Sequence, residues 1–472
     1  MANVSITLSD SDEKFILHAL EVIHPNLRLE SITGTAAVED GANMMGVVSR
    51  VRVLGCDLDT GIKMDLSLIM KRLPESMERR ELFLCDAAFQ NEANFYREVV
   101  PRLGDHTELP FPRSLLAADD VIVLQDLRQE GFTMADRRSG MDLDHCLIVM
   151  QELGRYHAVS YAMKHLRPDE FQKVSSSLKE VFIHKGNTLL IGCIDHCVGM
   201  ALKAAKDQDA TVIERLNSYI GKGIDSLTPH VIPKEPLAVI CHGDFHSNNI
   251  LFRYTENNNK PIQAAFVDLQ GCRYASPAID ILYFIFSSSS SGVLKNHFVS
   301  LVSTYQNSLE SHLGSIAPSA KVPSFDEVMF EVKKRLDYGL VMSLLMLPMV
   351  SADKVTFDLD KVSEETMSEV QQNVEKNMVN EEYHRRVNDL LQLIAKEKLL
   401  ARHTLGPLSS VRSAQSVPQI SKIMYSNVEP HSGSAQFSPF SPLRPSQPVF
   451  GWRAIWAEAT EGTEVPCMRS AE

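Results

Sequence analysis

Hydrophobic residues recur at helical spacing near the start of the chain and then alternate with polar ones. The first pattern predicts an amphipathic helix that begins at Asp10 or Ser11 and ends before Pro25, because the residue preceding a proline avoids the helical conformation. Its apolar positions are Phe15, Ile16, Ala19, Leu20 and Ile23. The β-rich stretches that follow, at 31–38 and 47–54, predict two strands.

Two more apolar runs predict strands on either side of a further helix. Residues 64–73 alternate in polarity, and residues 120–127 form an apolar run with a polar exit, typical of a buried strand. Between them, residues 89–98 predict an amphipathic helix. Its apolar face holds Phe89, Ala93 and Tyr96.

Helical patterns dominate after residue 140. Amphipathic helices are predicted at 143–164, 201–220, 298–313, 325–347 and 381–400. Asp280 begins a shorter apolar helix, and the serines at 287–291 predict a polar loop. Two short apolar runs, 237–240 and 250–252, flank another polar loop and predict a hairpin or meander. The fold class is therefore α+β, with a β-rich beginning and a helical remainder.

Composition and charge are those of a soluble globular protein. The 472 residues are 44% hydrophobic and 23% charged, which suggests two or three domains with large cores. The net charge of −13 argues against a nucleic-acid partner, because nothing offsets phosphate repulsion overall. The first residues lack a basic and apolar leader, and the most apolar window, 340–350, is interrupted by Ser343 and Pro348. We therefore expect a cytoplasmic protein with no membrane partner.

The eight cysteines are scattered along the chain. Only Cys193 and Cys197 are close, with His196 between them, and no second pair completes a zinc site. Ordinary thiols in a reducing compartment are the favoured interpretation.

The composition changes beyond Arg402, where Ser, Pro and Gln dominate without a sustained period. This predicts a disordered extension at 404–472. Both tryptophans, Trp452 and Trp456, lie in it. A short docking element and a non-native extension remain as alternatives.

The chemistry-bearing motif is His242-Gly-Asp244, with Asn249 five positions after the aspartate and Asp268 at the end of the next apolar run. It resembles the H-x-D-x-x-x-x-N loop of protein-kinase-like phosphotransferases. Phosphoryl transfer needs a carboxylate near the acceptor hydroxyl and oxygen ligands for magnesium. Asp244 would be the catalytic base, and Asn249 and Asp268 would hold Mg²⁺. A polar turn without chemistry is the alternative.

Nucleotide-binding candidates lie earlier in the chain. Lys71 ends the strand predicted at 64–73, and in this superfamily such a lysine contacts the phosphates while a carboxylate from the next helix holds it. Glu92 is the favoured carboxylate, and Glu98 competes with it. The small-residue turn at 39–46 could form a phosphate lid.

Two further sets of nucleotide-binding positions follow from the same comparison. Asn43 and Gly46 are the lid residues. Gln125 and Leu127 would meet the adenine edge through their main chain, at the polar exit of the strand at 120–127.

These stretches together resemble the ecdysteroid kinase-like family, over about residues 10–400. The stretches are Leu-Ile-Met-Lys71-Arg-Leu-Pro, Phe89-Gln-Asn-Glu-Ala-Asn-Phe-Tyr, Val123-Leu-Gln-Asp-Leu with Gly131-Phe132, Tyr156-His-Ala, His242-Gly-Asp-Phe-His-Ser-Asn-Asn and Val267-Asp-Leu-Gln. The resemblance implies a bilobal protein-kinase-like fold, similar to aminoglycoside and choline kinases. It also implies ATP-dependent phosphorylation of a small-molecule hydroxyl, with ecdysteroids or related steroid and xenobiotic alcohols as acceptors. The sequence departs from the family at Gln125, where Glu is usual, and at His246, where an aromatic residue, often Trp, is usual.

The predicted organisation is an N-terminal nucleotide-binding lobe at 1–126, a C-terminal catalytic lobe at 127–403 and the tail at 404–472. A monomer is expected. A protein kinase is disfavoured because Asp268 is followed by Leu-Gln rather than Phe-Gly, and no Ala-Pro-Glu follows. A choline- or aminoglycoside-type kinase and a ligand-binding pseudokinase remain as alternatives.

Overall fold

The computed structural model describes residues 5–37, 46–103, 109–205, 208–256, 260–352 and 366–404, and within these it leaves the side chains of 367–368 and 397–404 undescribed. The first part is a six-stranded antiparallel sheet of order β1-β2-β3-β4-β6-β5. Its strands are β1 (Ser5–Ile6), β2 (Leu27–Ala36), β3 (Val47–Asp57), β4 (Lys63–Arg72), β5 (Ser114–Ala117) and β6 (Val121–Gln125). The strands predicted at 31–38, 47–54, 64–73 and 120–127 correspond to β2, β3, β4 and β6 within the described residues.

Helix α1 (Asp10–Ile23) covers one face of the sheet. Ser9 caps it rather than Asp10 or Ser11, through a capping box with Asp12. The alternating side chains of the strands meet the apolar side of α1 in one core. Its buried members are Ile16, Ala19, Leu20, Val51, Val53, Leu68, Met70, Val121 and Val123.

Three helices follow β4 in sequence: α2 (Met77–Leu82), α3 (Cys85–Asn94) and, after a π-helical turn at Phe95–Val99, α4 (Val100–Leu103). The helix predicted at 89–98 is thus α3 together with the π-helical turn. A π-helical turn shifts the register of the side chains that follow it, which the amphipathic pattern does not show.

The second part is helical, and its large core continues to Ile122 and Leu124 of β6. Its helices are α5 (Leu143–Leu166), α6 (Pro168–Ser177), α7 (Thr188–Ala204), α8 (Ala210–Asn217), α9 (Gly223–Val231), α10 (Ala278–Ser288), α11 (Ser291–Ile316), α12 (Phe325–Lys334), α13 (Leu336–Ser351), α14 (Met367–Met378) and α15 (Glu381–Thr404). Helices α5 and α11 pack closely at Gly154, where a Cβ would come within 2.5 Å of the Tyr305 carbonyl oxygen. None of the helices in the described residues is long and apolar enough to cross a membrane.

Two small sheets lie within this second part. Strand β9 (Ile250–Tyr254) pairs with β10 (Pro261–Phe266) and with β7 (Thr133–Met134), and β8 (Val239–Cys241) pairs with β11 (Arg273–Ala275). The hairpin predicted around residues 242–249 is therefore wrong, because the strands on its two sides pair with other partners.

Two helix predictions and one loop prediction also need correction. The helix predicted at 201–220 ends at Ala204, and Asp209 caps a separate helix, α8. The helix predicted at 325–347 is divided at Arg335, whose backbone leaves the helical conformation between α12 and α13. The serines at 287–291 are mostly buried where α10 ends and α11 begins, and the buried Arg386 guanidinium donates to the Ser287 carbonyl there.

Candidate active site

The His-Gly-Asp loop begins where β8 ends and bends sharply at Gly243. Its φ of 80° lies in the left-handed region. A Cβ at this position would lie 1.9 Å from the Gly271 carbonyl oxygen, so only glycine allows the two segments to touch. The contact places the loop against the segment that follows Asp268.

The carboxylate of Asp280, in the first turn of α10, holds the main chain of this loop. The N–H groups of His242 and Gly243 donate to its Oδ2 and Oδ1 at 2.7 and 2.9 Å. His157 Nε2 lies 3.3 Å from the same carboxylate, and His157 Nδ1 lies 2.9 Å from the Tyr305 hydroxyl. Burial opposes ionisation, but the hydrogen bonds from His157 and the loop lower the pKa of Asp280.

Asp244 is surrounded by hydrogen-bond donors. The Tyr283 hydroxyl lies 3.2 Å and His246 Nε2 lies 3.4 Å from Oδ1, and the Asn249 amide lies 3.1 Å from Oδ2. Burial favours the neutral acid, yet His246, His242 and Tyr283 outweigh it and hold the pKa of Asp244 well below its usual range. The carboxylate is therefore ionised at neutral pH.

Asn249 and Asp268 come together through the β9–β10 pair. Ile250 pairs with Phe266, and the Val267 N–H donates to the Asn249 carbonyl at 3.0 Å, which extends the ladder by one step. Asp268 then leaves the strand with φ of 71°, a left-handed conformation that costs energy for a residue other than glycine. The Asn249 Nδ2 is engaged with Asp244, so its Oδ1 is the atom available to a metal.

Lys71 joins the two parts of the molecule. Its Nζ lies 2.7 Å from Glu92 Oε2 and 2.5 Å from Asp268 Oδ1. Burial alone would lower the pKa of Lys71, but the charges of Asp268 and Glu92 overcome it and raise that pKa above its ordinary value. Glu98 instead pairs with Arg102 at 2.6 Å, so the geometry favours Glu92 as the partner of Lys71.

Two residues that the sequence did not single out fix the segment after Asp268. The Asn91 amide donates to the carbonyls of Gln270 and Cys272 at 3.0 and 2.7 Å, which ties α3 to this segment. Arg273 donates to the Gly271 carbonyl at 2.9 Å and pairs with Glu180. The contacts of Asn91 and the Arg273–Glu180 pair become visible only when the partners are placed in space, because they join distant parts of the chain.

The proposed adenine-binding linker follows β6. The Asp126 side chain is fixed by Arg50 Nε at 2.6 Å and by the Ser67 hydroxyl at 2.7 Å. The Gln125 N–H donates to the Arg113 carbonyl, and the Leu127 carbonyl accepts from Phe132 N–H. The use of the Gln125 and Leu127 main chain for an adenine edge stays a prediction.

The predicted lid is described only at its end. Gly46 precedes β3, where a Cβ would lie 3.2 Å from the Arg72 carbonyl oxygen. Asn43 lies outside the described residues. The lid role of both residues stays a prediction.

The other side-chain clusters do not compete with this site. Burial raises the pKa of the Cys193 thiol to about 11, as expected of an ordinary buried thiol. Within the described residues, one trio could hold a metal: His157, Cys241 and Asp280, whose ligand atoms lie within 4.8 Å of one another. All three are buried and hydrogen-bonded, and Cys241 donates to main-chain carbonyls.

A cavity of about 500 Å³ lies elsewhere in the helical part, with Tyr161, Phe171 and Tyr274 among its lining residues. Lys164 projects towards it and is engaged by Glu235 and by two main-chain carbonyls. The catalytic loop does not contribute to the lining. We therefore do not assign this cavity to the acceptor.

The class of protein is that of the protein-kinase-like phosphotransferases. Its features here are a sheet with a Lys–Glu pair, a linker after that sheet, and a His-Gly-Asp loop opposite a second aspartate. The ecdysteroid kinase-like family matches residues 40–317, and the chain belongs to that family. This confirms the predicted bilobal protein-kinase-like fold and the predicted enzyme class, a kinase with an alcohol group as acceptor.

Several solved structures are similar to the chain at low sequence identity. A Plasmodium vivax ethanolamine kinase is 10% identical, with 83% of this chain and 93% of that chain covered and a TM-score of 0.37. An amicoumacin kinase is 11% identical (79% and 97% covered, TM-score 0.31), and a type VIII aminoglycoside-3′-phosphotransferase is 14% identical (70% and 98% covered, TM-score 0.31). A search of curated proteins gives no match.

Proposed function

We propose that this chain transfers the γ-phosphoryl group of ATP to a hydroxyl group of a small molecule. The supporting observation is the position of Lys71, whose Nζ lies between Glu92 and Asp268 while the segment after Asp268 touches the loop that carries Asp244. These contacts support a joint role for Lys71, Asp244, Asn249 and Asp268 at one nucleotide site, because phosphoryl transfer requires such groups to be held close together.

The donor set fits a magnesium ion. Asn249 Oδ1 and the Asp268 carboxylate are hard oxygen ligands. The Asn249 main chain is bonded to Val267, the residue before Asp268. Mg²⁺ in kinases takes one or two such ligands together with phosphate oxygens and water. Bound there, Mg²⁺ would neutralise charge on the phosphates. The exposed fractions of the Asp244 and Asp268 side chains are 24% and 19%, so both carboxylates remain accessible to ligands.

Each side chain then has a defined task. Lys71, held by Glu92, places its positive charge on the phosphates. Asp244 orients the acceptor hydroxyl and accepts its proton as the oxygen–phosphorus bond forms and the bond to ADP breaks. Because its pKa is low, Asp244 is a weak base, and orientation is its larger contribution.

Membership of the family supports a proposal for the acceptor class. We infer a steroid alcohol of the ecdysteroid type or a related xenobiotic alcohol, rather than choline or an aminoglycoside. The domain boundaries at 126/127 and 403/404 and the monomeric state are part of the same proposal.

The test is to incubate the protein with ATP, Mg²⁺ and a panel of ecdysteroids, other steroids, phenols and amino alcohols, and to detect phosphorylated products by mass. The Asp244→Asn variant is the control. We expect a phosphorylated steroid that is absent with the variant. If choline or an aminoglycoside is the only acceptor that is phosphorylated, the proposed steroid class is wrong and that acceptor takes its place. Nucleotide binding without any product would support a pseudokinase instead.

A further inference from the structure

One turn of α10 contacts three consecutive residues of the catalytic loop. Asp280 and Tyr283 are three residues apart in this helix, so their side chains project from the same face. Asp280 accepts the N–H groups of His242 and Gly243, and Tyr283 donates its hydroxyl to Asp244 Oδ1 at 3.2 Å. The helix thus holds the backbone of the loop and the functional carboxylate at the end of it.

Tyr283 acts here as a hydrogen-bond donor. Its side chain is buried, and burial together with the negative charge of Asp244 raises the pKa of the Tyr283 phenol far above its usual value. The hydroxyl therefore keeps its proton, and an ionised carboxylate is the acceptor that it meets.

The rotation of the Asp244 carboxylate is fixed by donors on both oxygens. Tyr283 and His246 approach Oδ1, and the Asn249 amide approaches Oδ2. His246 Nδ1 accepts the Asn248 N–H at 3.4 Å, and its Nε2 lies 3.4 Å from both Asp244 Oδ1 and the Asn249 amide nitrogen. The remaining lone pairs of the carboxylate then define one direction from which an acceptor hydroxyl can bond to it.

We propose that Tyr283 is a positioning residue, which acts through Asp244 to aim the carboxylate at the acceptor hydroxyl. The inference rests on the proposed phosphotransferase function and adds to it a residue outside the Lys, Asp, Asn and Asp set. A solely structural role for the hydroxyl would affect stability and leave turnover unchanged.

The test compares Tyr283→Phe with Tyr219→Phe. Tyr219 is also buried and donates to a carboxylate, Asp337 Oδ1 at 2.7 Å, so the control removes the same kind of hydrogen bond away from the site. ADP formation is measured with the acceptor and with water alone, together with ATP affinity and the melting temperature. We expect kcat to fall about tenfold in Tyr283→Phe, since a small misplacement of a reacting group is costly, with the KM for ATP unchanged. Tyr219→Phe should keep the kcat of the wild type.

A double-mutant cycle identifies the group through which Tyr283 acts. In an Asp244→Asn background, removal of the Tyr283 hydroxyl should change the residual kcat by less than about twofold, because coupled residues are not additive. Equal losses in both backgrounds, or a wild-type kcat in Tyr283→Phe, would overturn the inference and leave the kinase function intact. A wild-type protein that binds ATP but forms no ADP with any acceptor, water included, would contradict the proposed function and the inference with it.

Discussion

At the scale of single residues, a substitution of Asp244 tests the role proposed for its carboxylate. Asparagine keeps its size and removes the negative charge that we propose orients the acceptor hydroxyl. We expect Asp244→Asn to lower kcat by about 10²–10⁴-fold, the usual contribution of a positioned base, while ATP still binds. Product formation and calorimetric ATP binding measure the two effects. Asp65→Asn, at an exposed ion pair with Arg52, is the control that should retain activity.

The second prediction at this scale compares Gly243 with Gly61, because the two glycines have similar backbone conformations and different surroundings. Gly61 has φ of 71° and nothing within 4 Å of a Cβ, whereas a Cβ at Gly243 would collide with the Gly271 carbonyl. Gly61→Ala should cost about 1–2 kcal/mol in the free energy of unfolding, the conformational cost alone. Gly243→Ala should cost more and abolish turnover. Urea unfolding and the kinase assay compare the variants, and equal unfolding costs would refute the close contact.

The sequence identifies the polar residues of the site because their spacing reflects chemistry. Asp244 and Asn249 share one loop, and Lys71 ends a strand with clear alternation. Tyr283 and Asn91 are not identifiable in this way. An apolar helix gives no reason to single out one tyrosine, and the partners of Asn91 are about 180 positions away along the chain.

At the scale of elements, α10 and the catalytic loop form one unit that Asp280 holds together. The carboxylate has a lowered pKa in the folded protein, so its stabilising contribution is fully present above about pH 3.9, the value in an unfolded chain, and is lost as pH falls through the folded value. We expect Asp280→Asn to cost about 1–3 kcal/mol at pH 7, because two loop N–H groups lose a charged acceptor.

The pH dependence distinguishes this role from a loss of packing. The difference in unfolding free energy between wild type and Asp280→Asn should shrink as the pH is lowered below about 4. Urea unfolding at a series of pH values measures it. A difference that is constant with pH would show that Asp280 is not held as the ionised carboxylate.

Element boundaries and pairing were less predictable than element type. The sequence patterns predicted α1, α5 and four strands of the first sheet, β2, β3, β4 and β6, but not the short strands β1 and β5. The predicted hairpin failed because proximity along the chain suggested pairing across residues 242–249, whereas β8 pairs with β11 after the chain has passed through Asp268. Strand partners depend on the whole fold and not on local pattern.

For the whole molecule, the ion pairs of Lys71 link the first sheet to the segment after β10. Asp268 and Glu92 lie 197 and 21 positions from Lys71 along the chain, and both contact its ammonium group. The bilobal fold was predictable because several motifs of the sequence together resemble those of the family. The convergence of these side chains was only an expectation, because spacing along a sequence does not measure distance in space.

The most direct test of the account is the magnesium dependence of ATP binding in wild type and Asp268→Asn. Asp268 has two proposed functions, to hold the metal and to face Lys71, and asparagine keeps its shape while removing the charge. We predict that Mg²⁺ strengthens ATP binding to the wild type in a calorimetric titration and that this gain is largely lost in Asp268→Asn. An equal gain from Mg²⁺ in both proteins would contradict the proposal that these side chains gather around one metal-bound triphosphate.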